Sequence, residues 1–427
     1  MTRVKAVSRR TFQSLAVRNY RLFFVGQLVS LTGTWMQSVA QAWLVLRLTG
    51  SGVAVGTVTG LQFVPMLLAG AWGGVVADRV DKRKALVMTQ VAMGVVALAL
   101  AVVTVTDVVE LWMVYLAAVL LGAANVVDTP TRQAFVTEMV GPAALPNAIG
   151  LNSALFNGSR VVGPAVAGLL ITGAGLWICF LVNAVSFVAV IVALLAMRPD
   201  ELYRSEPVPR EPGQVRAGLR YVWSSLERRW TLLMVAAVGT FAFNFAVVLP
   251  LLARYTFEGD AGLFGLLSSA MGVGALAGAL AAAAMGRPSP ALLVAACSAT
   301  ALLMLAAAAA PTLAVEVVVL ALLGGAVITF MTTANALLQL GSEPAMRGRV
   351  MALYALVFLG STPIGGPVVG WVAEHFGPRA GLAVGGIAAV AASVAGAVVF
   401  RRAARQVGLP GFGGSVRGDV PAEPAAA

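Results

Sequence analysis

The chain has 427 residues, of which 59% are hydrophobic and only 11% are charged. Soluble domains are typically about 45–50% apolar, so a water-soluble protein of this composition would expose a large apolar surface. The composition therefore favours a protein that lies in a lipid bilayer. Cys179 and Cys297 both lie in apolar runs, which provides neither a disulfide framework nor a metal-ligand spacing. We expect no metal and no cofactor.

Apolar runs long enough to cross a bilayer, which takes about 20 helical residues, occur twelve times. In chain order they are 22–46, 53–77, 85–106, 109–127, 147–172, 176–197, 230–253, 262–286, 289–310, 313–339, 350–374 and 379–400. The first run is too long for the core of a signal peptide and lacks a small-residue cleavage site, so we expect an uncleaved span.

The pattern predicts an all-α membrane protein with twelve transmembrane helices in two six-helix bundles. The predicted parts are an N-terminal bundle (1–197), a cytoplasmic linker with an amphipathic helix (198–229), a C-terminal bundle (230–402) and a disordered cytoplasmic tail (403–427). In the linker, apolar residues recur at helical spacing over 214–230, which indicates a helix on the membrane surface. A solvated linker helix is the alternative, because amphipathicity alone does not prove membrane contact.

The basic residues are distributed unequally between the two sides of this arrangement. With the N-terminus inside, 25 of the 29 Lys and Arg residues fall in inside segments, and only Arg47, Arg254 and Arg379 fall in outside loops. Lys and Arg accumulate in the cytoplasmic loops of membrane proteins. We therefore expect a multi-pass protein of the inner (cytoplasmic) membrane with both termini in the cytoplasm. The net charge of +11 then needs no nucleic-acid partner.

The two halves of the chain resemble each other at a shift of 203 or 204 residues. Gly70, Gly74 and Arg83 then align with Gly274, Gly278 and Arg287, and Gly163-Pro164 aligns with Gly366-Pro367. Such repeats in transporters pack about an axis along the membrane normal and place the substrate site between them near the midplane. The repeat therefore predicts two pseudo-symmetric bundles.

The inside loop between spans 2 and 3 reads GGVVADRVDKRK (residues 73–84), with Gly74, Asp78, Arg79, Arg83 and Lys84 at characteristic spacing. This loop resembles the signature of the major facilitator superfamily, apart from Asp81, where that family usually has Gly. The resemblance covers the whole chain and implies a cytoplasmic latch between the halves. The copy in the second half is degraded, and we expect the counterpart to be formed by Glu343, Arg347 and Arg349. The alternative is a basic loop that only orients its helices.

A second motif, NGSRVVGPAVAG (157–168) in span 5, is similar to the Gly-Pro motif of antiporters and exporters in this superfamily. It contains Gly158, Gly163, Pro164 and Gly168, which would give a smooth helix surface and a possible kink. Simple helix packing is the alternative explanation. Bacterial exporters of drugs and siderophores are the branch that the chain resembles most. A third signature, of proton-coupled exporters, is missing, since Ala118 stands where its Arg is expected.

Ionisable side chains within spans are costly and often functional. Asp128, at the inner end of predicted span 4, and Arg160, within span 5, are the coupling candidates, and either Asp128 or the substrate would neutralise Arg160. The alternatives are a helix-end cap for Asp128 and an Arg160 side chain that extends to the inner surface.

A polar stripe on one face of span 1 is expected to line the central cavity. We expect the cavity to be lined by Gln27, Ser30, Thr34, Trp35, Gln37, Ser38 and Gln41, with Asn152, Asn157, Asn244 and Asn335 as further candidates. Hydrogen bonds between neighbouring helices are the alternative role for the stripe.

Together these features predict a monomeric secondary carrier that works by alternating access and exports a small, partly apolar molecule in exchange for protons. The chain has no P-loop, because none of Lys5, Lys82 and Lys84 completes the motif. Uptake or lipid flipping by the same fold is the alternative. A membrane-embedded enzyme or receptor is disfavoured by the absence of a His cluster and of a GxSxG motif.

Overall fold

The computed structural model describes residues 12–203, 214–284 and 288–406, and the regular structure of this part is helical, without strands. Ten helical stretches in it are long and apolar enough to cross a membrane. One of them, Leu111–Ala174, has 64 residues and is broken at Gly141, so it supplies two spans. Arg18–Thr49 is a further 32-residue helix that packs among them. The predicted all-α membrane fold is confirmed.

The structure gives the bounds of all twelve spans. Spans 1 to 6 are Arg18–Thr49, Gly52–Arg79, Lys82–Val105, 111–140, 142–174 and Leu176–Leu195. Spans 7 to 12 are Leu226–Thr256, Ala261–Ala284, Pro290–Ala308, Leu313–Leu340, Pro344–Gly360 continued by Thr362–Phe376, and Pro378–Gln406. Span 7 contains two π-helical segments, Val238–Ala242 and Leu252–Thr256. The tail beyond 406 lies outside the described residues.

The connection between spans 4 and 5 is much shorter than the sequence suggested. Helix replaces the predicted loop at 128–146, and a single residue, Gly141 with φ +66°, makes the turn. A positive φ suits glycine, and Pro142, which follows, has a fixed φ that suits the first turn of a helix. Asp128 therefore lies within span 4 rather than at its end, and Arg132 is not a loop residue. The predicted position of Asp128 at the inner end of span 4 is wrong, because the helix continues to residue 140.

The ends of the spans form two faces. We call the face that carries residues 79–84, 196–203, 223–226 and 340–344 the basic face, and the face that carries residues 50–51, 106–110, 257–260, 309–312 and 377 the opposite face. Hydrogen bonds connect the ends on each face. On the basic face the Asn19 amide donates to the Arg198 carbonyl at 2.9 Å, and on the opposite face Arg379 donates to Ala310 at 2.6 Å.

Both halves use the same pair of helices for close backbone packing. Gly122 of span 4 lies against the backbone of Gln62 in span 2, and Gly274 of span 8 lies against the backbone of Ala321 in span 10. A Cβ atom on either glycine would overlap the facing carbonyl group. Spans 2 and 8, and spans 4 and 10, are equivalent in the sequence repeat. The packing therefore follows the duplication.

The halves cross each other at two equivalent places, and glycine is present at both. Spans 2 and 11 meet where Gly56 faces Gly366, and spans 5 and 8 meet where Gly168 faces Gly262. Pro164 in the span 5 motif has its carbonyl against Gly265. Gly163 lies against Trp35 of span 1, so three residues of the Gly-Pro motif pack between helices. Nothing lies within 4 Å of a Cβ atom at Gly158.

The linker helix, Gln214–Trp223, packs on the second half of the protein. Val222 is fully buried against Leu232, Leu338, Val350 and Leu353, and Gly218 lies against Arg349. Leu219 and Trp223 remain exposed. Part of the apolar stripe that was predicted to face the membrane is therefore covered by spans 7, 10 and 11.

The crossing of spans 2 and 11 predicts the effect of a large side chain at Gly56. Gly56→Leu should force the two backbones apart, because even a Cβ atom there would overlap Gly366. The measurement is the rate of disulfide formation in a variant that carries both Ser51→Cys and Glu374→Cys. The side-chain oxygens of Ser51 and Glu374 lie 2.6 Å apart in the native protein. Both native cysteines are buried.

We expect Gly56→Leu to slow this disulfide at least tenfold. Gly150→Leu is the matched control, because nothing lies within 4 Å of a Cβ atom at Gly150. Equal rates in the two variants would contradict close packing at this crossing.

Candidate functional site

The two halves are joined by hydrogen bonds towards the opposite face. The Ser51 hydroxyl donates to Glu374 at 2.6 Å, Arg254 donates to the Leu46 carbonyl at 3.1 Å, and the Tyr255 hydroxyl donates to the Gly50 carbonyl at 2.9 Å. Deeper in the protein, the Ser269 hydroxyl donates to the Val161 carbonyl at 2.9 Å. These contacts close the space between the halves on the opposite side.

At the basic face, the hydrogen bonds that the structure describes stay inside one half. Lys82 pairs with Glu138 at 2.6 Å within the first half, and Arg228 donates to the Gly341 carbonyl at 2.8 Å within the second. Among the described side chains, the contacts between the halves that lie nearest this face are those of Leu67 with Gly360 and of the Arg160 carbonyl with Gly272. In the described part of the chain, the contacts that join the halves therefore lie between this level and the opposite face.

Arg160 lies at the level of these last contacts between the halves. Its guanidinium is 5.7 Å from the Trp35 ring centroid in span 1 and 6.0 Å from the Phe243 ring centroid in span 7. It is partly exposed, and at a rise of 1.5 Å per residue it lies roughly 20 Å or more from either end of span 5. An arginine side chain cannot reach either end of the helix from there, which argues against the alternative of extension to the inner surface.

A polar pocket lies inside the first half, between spans 1, 2, 3, 4 and 6. Its volume is about 60 Å³, which is room for a few water molecules. The lining residues are Gln27, Ser30, Leu31, Thr34, Gln37, Ser38, Gln41, Gln62, Gln90, Met93, Leu121, Asn125, Asp128, Arg132, Asn183 and Phe187. The pocket therefore lies within one bundle and is large enough for water, and all its lining residues belong to the first half.

Asp128 is at the base of this pocket and is 2% exposed. Its Oδ1 accepts hydrogen bonds from Thr89 at 2.8 Å and from Gln90 at 2.9 Å, and its Oδ2 lies 3.4 Å from Nε of Arg132. Donors and an opposite charge stabilise a carboxylate in a buried site. The predicted pairing with Arg160 is absent from this conformation, because Asp128 is fully engaged within its own half.

Most of the span 1 stripe turns into the first half rather than towards the second. Gln27, Gln37 and Gln41 are about 95% buried. The Asn183 amide donates to Gln37 at 2.6 Å, and Arg132 donates to Gln27 at 3.3 Å. Hydrogen bonds between helices, the alternative for this stripe, are therefore present at two of its residues. Trp35 points the other way, towards Arg160.

The asparagine candidates are spread over both halves. Asn152 and Asn157 are partly exposed in span 5, and Asn157 donates to the Ser153 carbonyl at 2.8 Å. Asn244 is buried beside Thr240, to whose carbonyl it donates at 2.7 Å, and Asn335 accepts from Gln339 at 2.8 Å. Thr34 is half-buried and lines the pocket of the first half. The structure does not gather these side chains into one site.

The predicted latch residues at the basic face make contacts within their own halves. Arg83 donates from Nε to the Leu194 carbonyl at 2.7 Å and from Nη2 to the Leu195 carbonyl at 2.9 Å, which caps the end of span 6. Asp81 caps span 3 by accepting from the Lys84 amide. Arg79 and the Lys84 side chain are exposed. Of Gly74 and Asp78 only the helical backbone is described, and their surroundings lie outside the described part.

The second-half counterpart lies beside the linker helix. Glu343 is exposed and its amide donates to the Tyr221 hydroxyl at 3.0 Å, while Arg347 donates to the Gln339 carbonyl at 3.0 Å. Arg349 packs its stem on Gly218. In this conformation none of the hydrogen bonds described for these three residues reaches the first half.

The profile of the transmembrane secretion effector family matches residues 9–407 of this chain. The chain belongs to this family of the major facilitator superfamily. The resemblance found in the loop and Gly-Pro motifs is thereby confirmed, and the protein is a transporter rather than an enzyme.

Relatives of this transporter include named efflux proteins. The chain is 26% identical to the staphyloferrin A transporter of Staphylococcus aureus over 60% of its length and 64% of that protein's. It is 26% identical to the multidrug efflux pump Tap of Mycolicibacterium fortuitum over 84% of its own length and 90% of Tap. It is 23% identical to macrolide efflux protein A of Streptococcus pyogenes over 81% and 88% of the two chains.

Solved structures agree on the fold of the transporter. A bacterial homologue of the lysosomal transporter Spinster, in an inward-facing and unoccupied conformation, superposes with a TM-score of 0.70 at 15% identity, covering 91% of this chain and 97% of the homologue. The nucleoside transporter NupG gives 0.72 at 13% identity, covering 90% and 99%. At these identities the likeness shows the fold alone.

Sequence reasoning missed two buried carboxyl groups of the transporter. Glu316 in span 10 is 0% exposed, and neither carboxylate oxygen has a hydrogen-bond partner among the described residues. Glu138 in span 4 is 8% exposed and pairs with Lys82. Glu316 could have been found from the sequence, since it lies inside a predicted span. Glu138 could not, because its segment was assigned to a loop.

The cap on span 6 predicts a loss of stability when Arg83 is replaced. Arg83→Ala should lower the free energy of unfolding by about 1–2 kcal/mol, because two carbonyl groups lose a charged donor at a helix C-terminus. Arg79→Ala, at an exposed arginine of the same loop, should change it by less than about 0.5 kcal/mol. Denaturant unfolding in detergent micelles measures both, and equal effects would contradict the capping role.

Proposed function

We propose that this transporter is a secondary carrier that works by alternating access and exports a small, partly apolar molecule in exchange for protons. Drugs, siderophores and secondary metabolites are the substrate classes in question. The two bundles, residues 1–197 and 230–402, would rock as units joined by the linker 198–229. The protein acts as a monomer in the cytoplasmic membrane, with the basic face and both termini in the cytoplasm.

The observation that carries the proposal is the asymmetry of contact between the halves. Glycine-mediated crossings and hydrogen bonds join them towards the opposite face, whereas no contact between the halves is described from the level of Arg160 to the basic face. Two rigid bundles that touch on one side of a midplane can rock to touch on the other side. The names of the efflux relatives support export as the direction.

The proposed latch would stabilise a second conformation, in which the basic side is closed. In the structure, Arg79 and Glu343 are exposed on different halves of the basic face, and opposite charges there would attract each other if the basic side closed. Arg83 stays engaged within span 6 and would anchor the loop. We expect Arg79→Ala to slow turnover without lowering stability, and unchanged turnover would contradict the latch.

Asp128 is the best placed residue for coupling to protons. It is a buried carboxylate held by Thr89, Gln90 and Arg132, and it lines a pocket that can hold water. Protonation would remove the charge that fixes Arg132, which also contacts Gln27 of span 1. A proton on Asp128 would thus loosen the contacts between spans 1, 3 and 4. Export and uptake are distinguished by the direction of transport that a proton gradient drives.

We predict that Asp128→Asn abolishes accumulation driven by a proton gradient in everted vesicles. The substrates are compounds to which the parent protein confers resistance in a host that lacks its own pumps. Exchange of substrate without a gradient should persist in the variant, because only coupling is removed. Asn125→Ala is the control, since Asn125 lines the same pocket but donates to the carbonyl of Leu121 in its own helix.

Full gradient-driven accumulation by the Asp128→Asn variant would contradict coupling through this carboxylate. In the parent protein, accumulation that a proton gradient does not affect would rule out proton antiport. Movement of fluorescent lipid between leaflets, without resistance to any compound, would favour the lipid-flipping alternative.

The proposed orientation predicts that Lys84 is reachable only from the cytoplasm. The Lys84 side chain is exposed, whereas Lys82 is 12% exposed and paired with Glu138. A membrane-impermeant amine reagent should label Lys84 in permeabilised cells and not in intact spheroplasts. Peptide mass spectrometry identifies the labelled residue. The control is Asp107→Cys on the opposite face, which an impermeant thiol reagent should label in intact spheroplasts. Labelling of Lys84 in intact spheroplasts would reverse the orientation.

A further inference from the structure

Arg160 is a cation near the middle of span 5 without an acidic partner in the described part of the chain. The ion pairs found there use other cations, namely Lys82, Arg132 and Arg198. Asp128, the acidic group in a span that was predicted to neutralise it, is held by three partners of its own. A charge at this depth is costly unless it faces water or an opposite charge. Water between the halves would lower that cost, and a ligand would supply the opposite charge.

The aromatic rings beside Arg160 leave its hydrogen-bond donors available. The guanidinium has five N–H donors in a planar fork, and ring faces attract the charge without replacing a strong acceptor. The fork matches the two oxygens of a carboxylate, which Arg binds with parallel hydrogen bonds. Arg160 is partly exposed as a residue, and the donors that the rings leave available would serve a ligand between the halves.

The aromatic rings near Arg160 come from both halves, and each of them contacts a further ring in its own half. Trp35 packs edge-to-face on Phe156 at 5.8 Å in the first half. In the second half Phe243 packs on Phe358 at 5.1 Å, and Phe358 stacks on Tyr354 at 6.1 Å. An apolar, ring-containing body would find contacts on both sides while its charged end lies on Arg160. Such a ligand would contact both halves at the level of Arg160.

We propose that Arg160 is the anion-binding group of the substrate site, and that the substrates are amphipathic acids with a carboxylate on an apolar, ring-containing body. The inference rests on the proposed function, since it places the substrate in the space between the halves. It assigns Trp35 and Phe243 to the ring contacts. It differs from a coupling role for Arg160, because the partner of the guanidinium is the transported molecule itself.

The test compares two ligands that share one body and differ in charge, 2-naphthoate and 2-naphthamide. Titration calorimetry on the full-length protein in nanodiscs at pH 7 measures both affinities, and empty nanodiscs supply the lipid background. The variants are Arg160→Gln, which removes the charge, and Arg160→Lys, which keeps the charge and loses the fork. Arg47→Gln is the matched control, because Arg47 is an exposed cation at the end of span 1.

We expect the parent protein to bind the acid at least tenfold more tightly than the amide. Arg160→Gln should weaken binding of the acid at least tenfold and change binding of the amide by less than twofold, with Arg160→Lys between the two. The control should behave as the parent. Thermal unfolding of each variant verifies that it is folded.

A parent protein that shows no preference for the acid, including one that binds neither compound, overturns the inference. A preference that persists in a folded Arg160→Gln variant overturns it as well. The measurement needs no gradient, so its result is separate from that of the vesicle experiment. A preference without gradient-driven export contradicts only the proposed coupling, whereas gradient-driven export without the preference contradicts only the anion site.

Discussion

Charge within the bilayer has to find its partner inside the protein, and the arrangement of this transporter follows from that constraint. Water is absent from the hydrocarbon region, so unsatisfied polar groups there cost several kcal/mol each. Asp128 and Arg132 pair one helical turn apart inside span 4. This pair offsets two charges that would be costly in a span if each were alone. The turn into span 5 then needs only Gly141.

Two charged side chains do not follow this rule. Glu316 is fully buried without a hydrogen-bond partner in the described residues, and Arg160 faces two aromatic rings between the halves. A buried carboxyl group without partners is least costly when protonated. Arginine has no such option, because it stays charged in proteins. The charge of Arg160 would therefore favour binding of an anion at this level between the halves.

In the proposed transport cycle, movement between two conformations would depend on how closely the halves approach each other. At Gly56 and Gly366 the helix backbones are in contact, as they are at Gly168 and Gly262. Small residues of this kind let membrane helices pack through their backbones. Because the contacts at these interfaces are between backbones, the bundles could rock without rearranging large side chains. If the substrate is an anion, an inside-negative potential would favour its export by about 2.3 kcal/mol per charge and 100 mV.

The sequence by itself determined the number of spans, their approximate bounds, the duplication and the family. Hydrophobic length and loop composition are properties of one segment at a time, so they can be read without knowing neighbours. It also indicated that Gln27 and Gln37 share a helix face. Only the tertiary structure decided that this face turns into the first half, that Asp128 meets Arg132 rather than Arg160, and that Arg160 lies between Trp35 and Phe243. Helical periodicity defines a face but not the helix that lies opposite it, which packing of distant segments alone decides.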